Sequence, residues 1–74
     1  MRIFNEKIDG YYFDSIGNDW GDYEIYENNG KFITVWYPHD CNEKIYVKTT
    51  DERKLFDHGD DDSVVEYMLT YLEK

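Results

Sequence analysis

The stretch from residue 22 to residue 37, DYEIYENNGKFITVWY, limits the possible folds more than any other part of the chain. Asn28, Asn29 and Gly30 tolerate the positive φ angles that short hairpin loops require. The residues on either side are mostly aromatic or β-branched, and such side chains suit a half-buried, pleated surface. The stretch therefore predicts a β-hairpin.

The register of this hairpin depends on the length of its loop. A three-residue loop at 28–30 sets Ile25 opposite Ile33 and makes one face uniformly apolar. A two-residue loop on Asn29 and Gly30 sets Ile25 opposite Thr34 and mixes polar with apolar side chains. Because a shift of one residue moves every side chain to the other face, we predict the three-residue loop. The apolar face in this register consists of Tyr23, Ile25, Ile33 and Val35.

The neighbouring segments extend the predicted sheet. Residues 44–50, KIYVKTT, alternate as a further strand, and pairing Val47 with Val35 continues the apolar face. A short strand is predicted at 1–8, and we expect residues 1–16 to cover part of the opposite face. The opposite face of the sheet carries the aromatic residues Tyr26, Phe32, Trp36 and Tyr46. Trp20, in the loop before the hairpin, is predicted to fold back onto the domain.

The C-terminal residues predict an amphipathic helix. Asp62 or Ser63 can cap its start, and Glu66 stands at the capping-box spacing from Ser63. One helical face is apolar and can pack on the sheet. Its members are Val64, Val65, Met68, Leu69 and Leu72.

These elements together predict the α+β class. The expected architecture is a small antiparallel meander of three to four strands, with one C-terminal amphipathic helix packed on a face. The segment 51–59 is predicted to be an irregular connection anchored in the core by Leu55 and Phe56. Residues 1–74 are predicted to form a single domain, because the chain is near the lower size limit for one hydrophobic core.

The composition bounds the class of protein. The single cysteine, Cys41, excludes an intramolecular disulfide and a four-cysteine zinc site. No apolar run approaches the roughly 18 residues that span a bilayer, and no signal peptide opens the chain. We therefore expect a soluble, cytoplasmic protein.

The charge is unevenly distributed along the chain. Seventeen acids and eight bases give a net charge of −9, and residues 8–30 and 55–73 contain no lysine or arginine. Such a charge speeds association with cationic partners and argues against direct binding to nucleic acid or an anionic membrane. An acidic surface that only aids solubility would have the same composition.

The sequence gives little support for catalysis or for a metal site. Cys41 lies two residues from His39, but no third group orients the pair, so we expect no enzymatic activity. Residues 57–62, DHGDDD, gather oxygen and imidazole ligands without the alternate spacing and final glutamate of a calcium loop. Acids at this position also stabilise the N-terminus of a helix. We predict neither a bound metal nor a cofactor.

Acidic and aromatic residues together predict a role in protein binding. Carboxylates two apart on a strand repeat at about 6.5 Å, so Asp22 and Glu24 could imitate a row of phosphates. Aromatic side chains would supply the desolvated anchors of such an interface. The predicted partner-binding residues are Asp22, Glu24, Glu27, Trp36, Tyr46, Asp57, Asp60, Asp61 and Asp62.

In size and charge the chain resembles small phage-type inhibitors of nucleic-acid enzymes, such as anti-CRISPR and anti-restriction proteins, and immunity proteins that block nuclease toxins. The resemblance implies an inhibitor of a basic, nucleic-acid-handling protein that acts as a nucleic-acid mimic. Two alternatives stay open. One is an adaptor or subunit that binds through an aromatic sheet face, and the other is a weak divalent-metal-binding module built on residues 57–62. The sequence leaves open whether the chain forms a homodimer.

Overall fold

The computed structural model describes residues 5–74 and shows an α+β fold. Five antiparallel strands form one sheet in chain order, and the helices pack on one face of that sheet. The predicted class is confirmed, with five strands where three to four were expected. The strands are β1 (Tyr12–Gly17), β2 (Gly21–Asn28), β3 (Lys31–Pro38), β4 (Ile45–Lys48) and β5 (Arg53–Phe56), and the helices are α1 (Glu6–Asp9) and α2 (Asp61–Leu72).

The central hairpin is confirmed, but the predicted three-residue loop is wrong. Asn28 pairs with Lys31, so Asn29 and Gly30 alone form the turn. Both have positive φ, 52° and 84°, as a type I′ turn requires. The Glu27 carboxylate also accepts a hydrogen bond from the Gly30 N–H at 2.9 Å. The local preference of Asn-Gly for this turn outweighs the more uniform apolar face of the other register.

The correct register reverses the orientation of every β2 side chain. Tyr23 and Ile25 lie on the face away from the helices, while Glu24 and Tyr26 are completely buried beneath them. This arrangement is stable because the Tyr26 hydroxyl donates a hydrogen bond to Glu24 Oε1 at 3.0 Å, which partly satisfies the buried carboxylate. The predicted orientation of β3 is confirmed, because Ile33 and Val35 face the core. Its Val35 pairs with Val47 as predicted.

The N-terminal region differs from the prediction. Residues 6–9 form the helix α1, capped by the Asn5 side chain, so the strand predicted at 1–8 is wrong over this part. Residues 1–4 of that prediction lie outside the described residues. Ile8 is buried in the core between sheet and helices. The next segment forms the edge strand β1, which widens the sheet and does not cover its outer face.

The segment 51–59 is not irregular, because it contains the strand β5. Thr49 closes a tight turn before this strand, with its hydroxyl accepting hydrogen bonds from the backbone N–H groups of Asp51 and Glu52. Phe56 is half-buried against the core, as predicted. Leu55 points to the other face of the sheet and is 58% exposed, so its predicted anchoring role is wrong.

Helix α2 covers the inner face of the sheet. It begins at Asp61, and its N-cap is Asp60, two or three residues before the predicted caps Asp62 and Ser63. Asp60 makes no side-chain capping bond. The predicted apolar stripe is confirmed. Val64, Val65, Met68 and Leu72 are buried, and Leu69 packs at the border of the core. In the described part of the chain, no helix is long and apolar enough to cross a membrane.

Candidate functional site

The outer face of the sheet is the most distinctive surface of the described chain. Helices cover only the inner face, so side chains that alternate outward from all five strands are available to solvent. We call this surface the open face. It consists of Asp14, Ile16, Tyr23, Ile25, Glu27, Phe32, Thr34, Trp36, Tyr46, Lys48, Arg53 and Leu55, together with Phe13.

One cross-strand row of the open face is entirely apolar or aromatic. The strand pairings align one residue from each strand, and we call this set the apolar row. Its outer members, at 61% and 58% exposed, are Ile16 and Leu55. The central rings of Tyr23 and Trp36 lie 4.6 Å apart between centroids and so rigidify each other. The row reads Ile16, Tyr23, Trp36, Tyr46 and Leu55 from β1 to β5.

The next cross-strand row carries charge, and we call it the charged row. An acid stands at its β1 end, Asp14, and two bases stand at its other end, Lys48 and Arg53. The Arg53 guanidinium lies 5.5 Å from the centre of the Tyr46 ring and donates a hydrogen bond to its hydroxyl at 3.3 Å. The full row is Asp14, Ile25, Thr34, Lys48 and Arg53.

Aromatic side chains continue to the hairpin end of the open face. The β-bulge between Tyr12 and Asp14 leaves Phe13 as an extra residue in β1. Its ring meets Phe32 edge-to-face at 5.5 Å, and the two side chains are 59% and 44% exposed. At the opposite end, Trp20 in the β1–β2 loop is 74% exposed, so the prediction that it folds back onto the domain is wrong.

The structure divides the predicted partner-binding residues among three places. Trp36 and Tyr46 lie together in the apolar row, and Glu27 lies on the same face beside the hairpin turn. Asp22 and Glu24 are in the interior at 8% and 0% exposure. The predicted exposed row of carboxylates on β2 is therefore wrong, because the one-residue shift in register turns both acids toward the core.

The four remaining predicted acids lie around the start of α2, on the side away from the open face. Asp57 pairs with Lys44, which holds the pKa of the Asp57 carboxyl below its ordinary value. Asp61 accepts a hydrogen bond from Tyr37 at 3.4 Å, and burial together with this carboxylate raises the pKa of the Tyr37 hydroxyl. Asp60 and Asp62 are exposed to solvent. Apart from Glu27, the predicted acids therefore do not share a surface with the aromatic anchors Trp36 and Tyr46.

A shallow groove of about 820 Å³ separates β5 from α2. Its walls carry both signs of charge, including Lys54 from the strand and Glu66 from the helix. Tyr67 also lines the groove and donates a hydrogen bond to Glu52. Burial, together with this hydrogen bond, raises the pKa of the Tyr67 hydroxyl to about 12. Because the groove carries both signs of charge, and Lys44 pairs with Asp57 within it, it presents no single chemistry to a ligand.

Other reactive side chains do not converge in the described part of the chain. His39 Nε2 lies 3.4 Å from Asp22 Oδ2, and Cys41 is an exposed free thiol. Within residues 5–74 no group of three or more His, Cys, Asp or Glu side chains is placed to hold a metal ion. Residues 57–62 accordingly offer no such group for the metal-binding hypothesis.

Sequence reasoning missed most of the open face for three reasons. The wrong hairpin register assigned Tyr23 to the core, and the undetected strand β5 hid Arg53 and Leu55. The N-terminal segment was expected to cover this face, whereas its strand β1 adds Asp14 and Ile16 to it. The Asn29–Gly30 dipeptide was the signal that could have corrected the first error, since it is the strongest short-range indication of a two-residue turn. No comparable local signal marks β5. No protein-family model, curated protein or solved structure matches this chain.

Proposed function

We propose that this protein acts by binding another protein chain through the open face, as a subunit or adaptor. The observation that carries the proposal is the apolar row, in which all five strands contribute an apolar or aromatic side chain to an uncovered surface. Its members Ile16, Tyr23 and Leu55 are between 42% and 61% exposed. Contiguous exposed apolar patches of this kind mark interaction surfaces in monomers.

The chemistry of the open face supports a protein as the ligand. Tyr, Trp and Arg are the residues that most often dominate binding energy at protein interfaces, and Tyr23, Trp36 and Arg53 are all present. The neighbouring rings already fix their orientation, so little side-chain entropy is lost on binding. The surface is shallow and extended, which suits a second protein surface better than a small molecule.

Capture of partners from the source cells tests this function. A variant with Ile16→Glu and Leu55→Glu places two charges in the apolar row at exposed positions. A matched variant with Ser63→Glu and Thr70→Glu adds the same charge to the exposed side of α2. We expect the first variant to lose at least 90% of the captured partner and the second to keep it. Equal capture by both would contradict the proposal.

A second candidate function is inhibition of a basic, nucleic-acid-handling protein through the acids on the helix side. Residues 55–73 contain six acids and no lysine or arginine, and Asp60, Asp62 and Glu66 are exposed. Charge clustered in this way gives an extended negative field that a cationic, nucleic-acid-binding surface would attract. This role needs no contact from Trp36 or Tyr46.

Competition with nucleic acid distinguishes the second candidate from the first. Once a partner is identified, its affinity for this protein is measured with and without DNA or RNA at two salt concentrations. We expect Asp60→Lys with Asp62→Lys to slow association and weaken the salt dependence if the partner binds the helix side. Asp19→Lys with Asp51→Lys is the control with an equal change of charge. Simultaneous binding of protein and nucleic acid without mutual loss of affinity excludes mimicry.

A further inference from the structure

We infer that the partner of the open face is a second copy of this chain, packed face-to-face about a two-fold axis that runs along β3. The inference rests on the proposed function, because it names the occupant of the same surface. A two-fold axis along the central strand brings β1 of one copy over β5 of the other, and β2 over β4. Each cross-strand row of one copy then faces the same row of the other copy in reversed strand order, so each row must be complementary to itself.

The charged row meets this requirement. Asp14 stands at the β1 end and Arg53 at the β5 end of the same row, with Lys48 next to Arg53. The two-fold axis places Asp14 of each copy opposite Arg53 of the other, with Lys48 one strand away, and creates two identical clusters of opposite charge. The long Lys and Arg side chains can reach across the gap between the two packed sheets.

The residue types of the apolar row are also self-complementary. Trp36, on the axis strand, meets its own counterpart. Tyr23 lies opposite Tyr46, and at the ends Ile16 lies opposite Leu55. Aromatic side chains therefore face aromatic ones and aliphatic side chains face aliphatic ones. The five members of this row therefore show the pairing that a two-fold axis requires.

The size of the open face sets the expected strength. Two residue rows about 6.7 Å apart cross all five strands, which lie about 4.8 Å apart, and a third row is present on β1 to β3 only. Together they give a flat area of about 420 Å², before the relief of the side chains is counted. Standard interfaces bury about 800 Å² on each partner. We therefore expect a dimer whose Kd lies in the micromolar range.

Dimerisation through a sheet edge is less favourable. The β-bulge at Phe13 interrupts one edge strand, and the other, β5, is only four residues long with two adjacent bases. Both are features that protect edges from pairing. The open face has no such protection.

Sedimentation velocity of the full chain over a range of concentrations, in about 150 mM salt, tests the inference. We expect the wild type to shift from monomer to dimer in the micromolar range. Asp14→Lys alone, and Lys48→Glu with Arg53→Glu, should each raise the dimer Kd at least tenfold, because each opposes like charges at two sites.

A mixture of these two variants provides the decisive measurement. In a mixed dimer every acid again faces bases, so the mixture should recover the wild-type Kd within about threefold. The chain that carries all three substitutions should recover it too. The substituted residues are exposed, and circular dichroism checks that each variant is folded.

The outcomes separate this inference from the proposed function. A wild-type chain that stays monomeric at 100-fold above the expected range, about 1 mM, overturns the inference. The inference is also overturned if the wild type dimerises but the mixture of the two charge variants does not recover the wild-type Kd. If either result is accompanied by loss of a different captured protein in the Ile16→Glu, Leu55→Glu variant, the proposed function stands with another occupant. If the Ile16→Glu, Leu55→Glu variant dimerises and captures proteins as the wild type does, the proposed function and the inferred dimer are both wrong.

Discussion

At the residue scale, the turn at Asn29 and Gly30 decides the orientation of the whole central hairpin. Both residues have positive φ, a conformation that Asn tolerates and Gly adopts without steric cost. Two of the three residues that the sequence marked as tolerant of positive φ therefore adopt it, Asn29 and Gly30. The same turn fixes which side chains of β2 face the helices, so a local backbone preference has a non-local consequence.

We predict that Gly30→Val lowers the free energy of unfolding by about 1–3 kcal/mol, because a β-branched side chain is strained at φ 84°. The matched control is Gly10→Val, since Gly10 has φ −67° and open space around it. Urea denaturation of both variants measures the difference. Equal midpoints for the two would show that the turn tolerates the side chain.

The buried pair of Tyr26 and Glu24 makes a second prediction at this scale. Tyr26→Phe removes the hydroxyl that donates to the Glu24 carboxylate at 3.0 Å. We expect the variant to lose about 1–3 kcal/mol in the free energy of unfolding, because a buried polar group loses a hydrogen bond. Tyr12→Phe is the control, since its hydroxyl bonds to Ser15 at an exposed site and should cost under about 0.5 kcal/mol. A loss in Tyr26→Phe no larger than in the control would contradict the prediction.

At the element scale, β5 depends on its neighbours on two sides. It pairs with β4 along its whole length, and its Phe56 ring packs against Tyr67 of α2 at 5.7 Å. The hydrogen bond from Tyr67 to Glu52 ties the preceding turn to the same helix. This strand is therefore held by tertiary contacts more than by its own sequence.

The raised pKa of Tyr67 gives a pH-dependent prediction for this contact. The folded pKa, about 12, exceeds the ordinary value of 10.0, so the folded state holds its proton more tightly than the unfolded state. The associated stability is fully present below pH 10 and is lost as the pH rises toward 12. We expect Tyr67→Phe to flatten the fall in urea midpoint between pH 9 and pH 11.5. A parallel fall in both proteins would place Tyr67 at an ordinary pKa.

At the scale of the whole molecule, the two sides of the sheet have different chemistry. The helix side carries exposed acids such as Asp62 and Glu66, whereas the open face is aromatic with balanced charges. A dimer formed through the open face would leave an acidic helix layer on each outer surface. Such a dimer could therefore combine both candidate functions without competition between them.

The net charge of −9 predicts that salt stabilises the fold. Self-repulsion destabilises a compact, highly charged protein, and raising the salt from about 10 mM to 150 mM shortens the Debye length from about 30 Å to 8 Å. We expect the melting temperature to rise over this range. The rise should be smaller in a variant with Asp19→Asn and Glu66→Gln, which has two fewer exposed acids. A melting temperature that falls with salt would mean that attractive ion pairs dominate.

The sequence by itself determined the features that depend on short-range chemistry. Alternation and β-branched residues predicted the strands β2, β3 and β4, and the apolar stripe from Val64 to Leu72 predicted α2 and its buried face. The Asn-Gly signal located the turn to within one residue. The clustering of acids was evident as well, since charge requires no knowledge of the fold.

Only the tertiary structure decided which side of β2 became the core and whether β5 existed. A polar residue such as Glu24 was assigned to the surface, because its buried partner Tyr26 belongs to the core only in the correct register. The strand β5 acquires its conformation by pairing with β4. The open face depends on both outcomes. Its rows join residues from five strands that lie far apart in the chain, and their alignment is set by hydrogen-bond registers that local propensity does not fix.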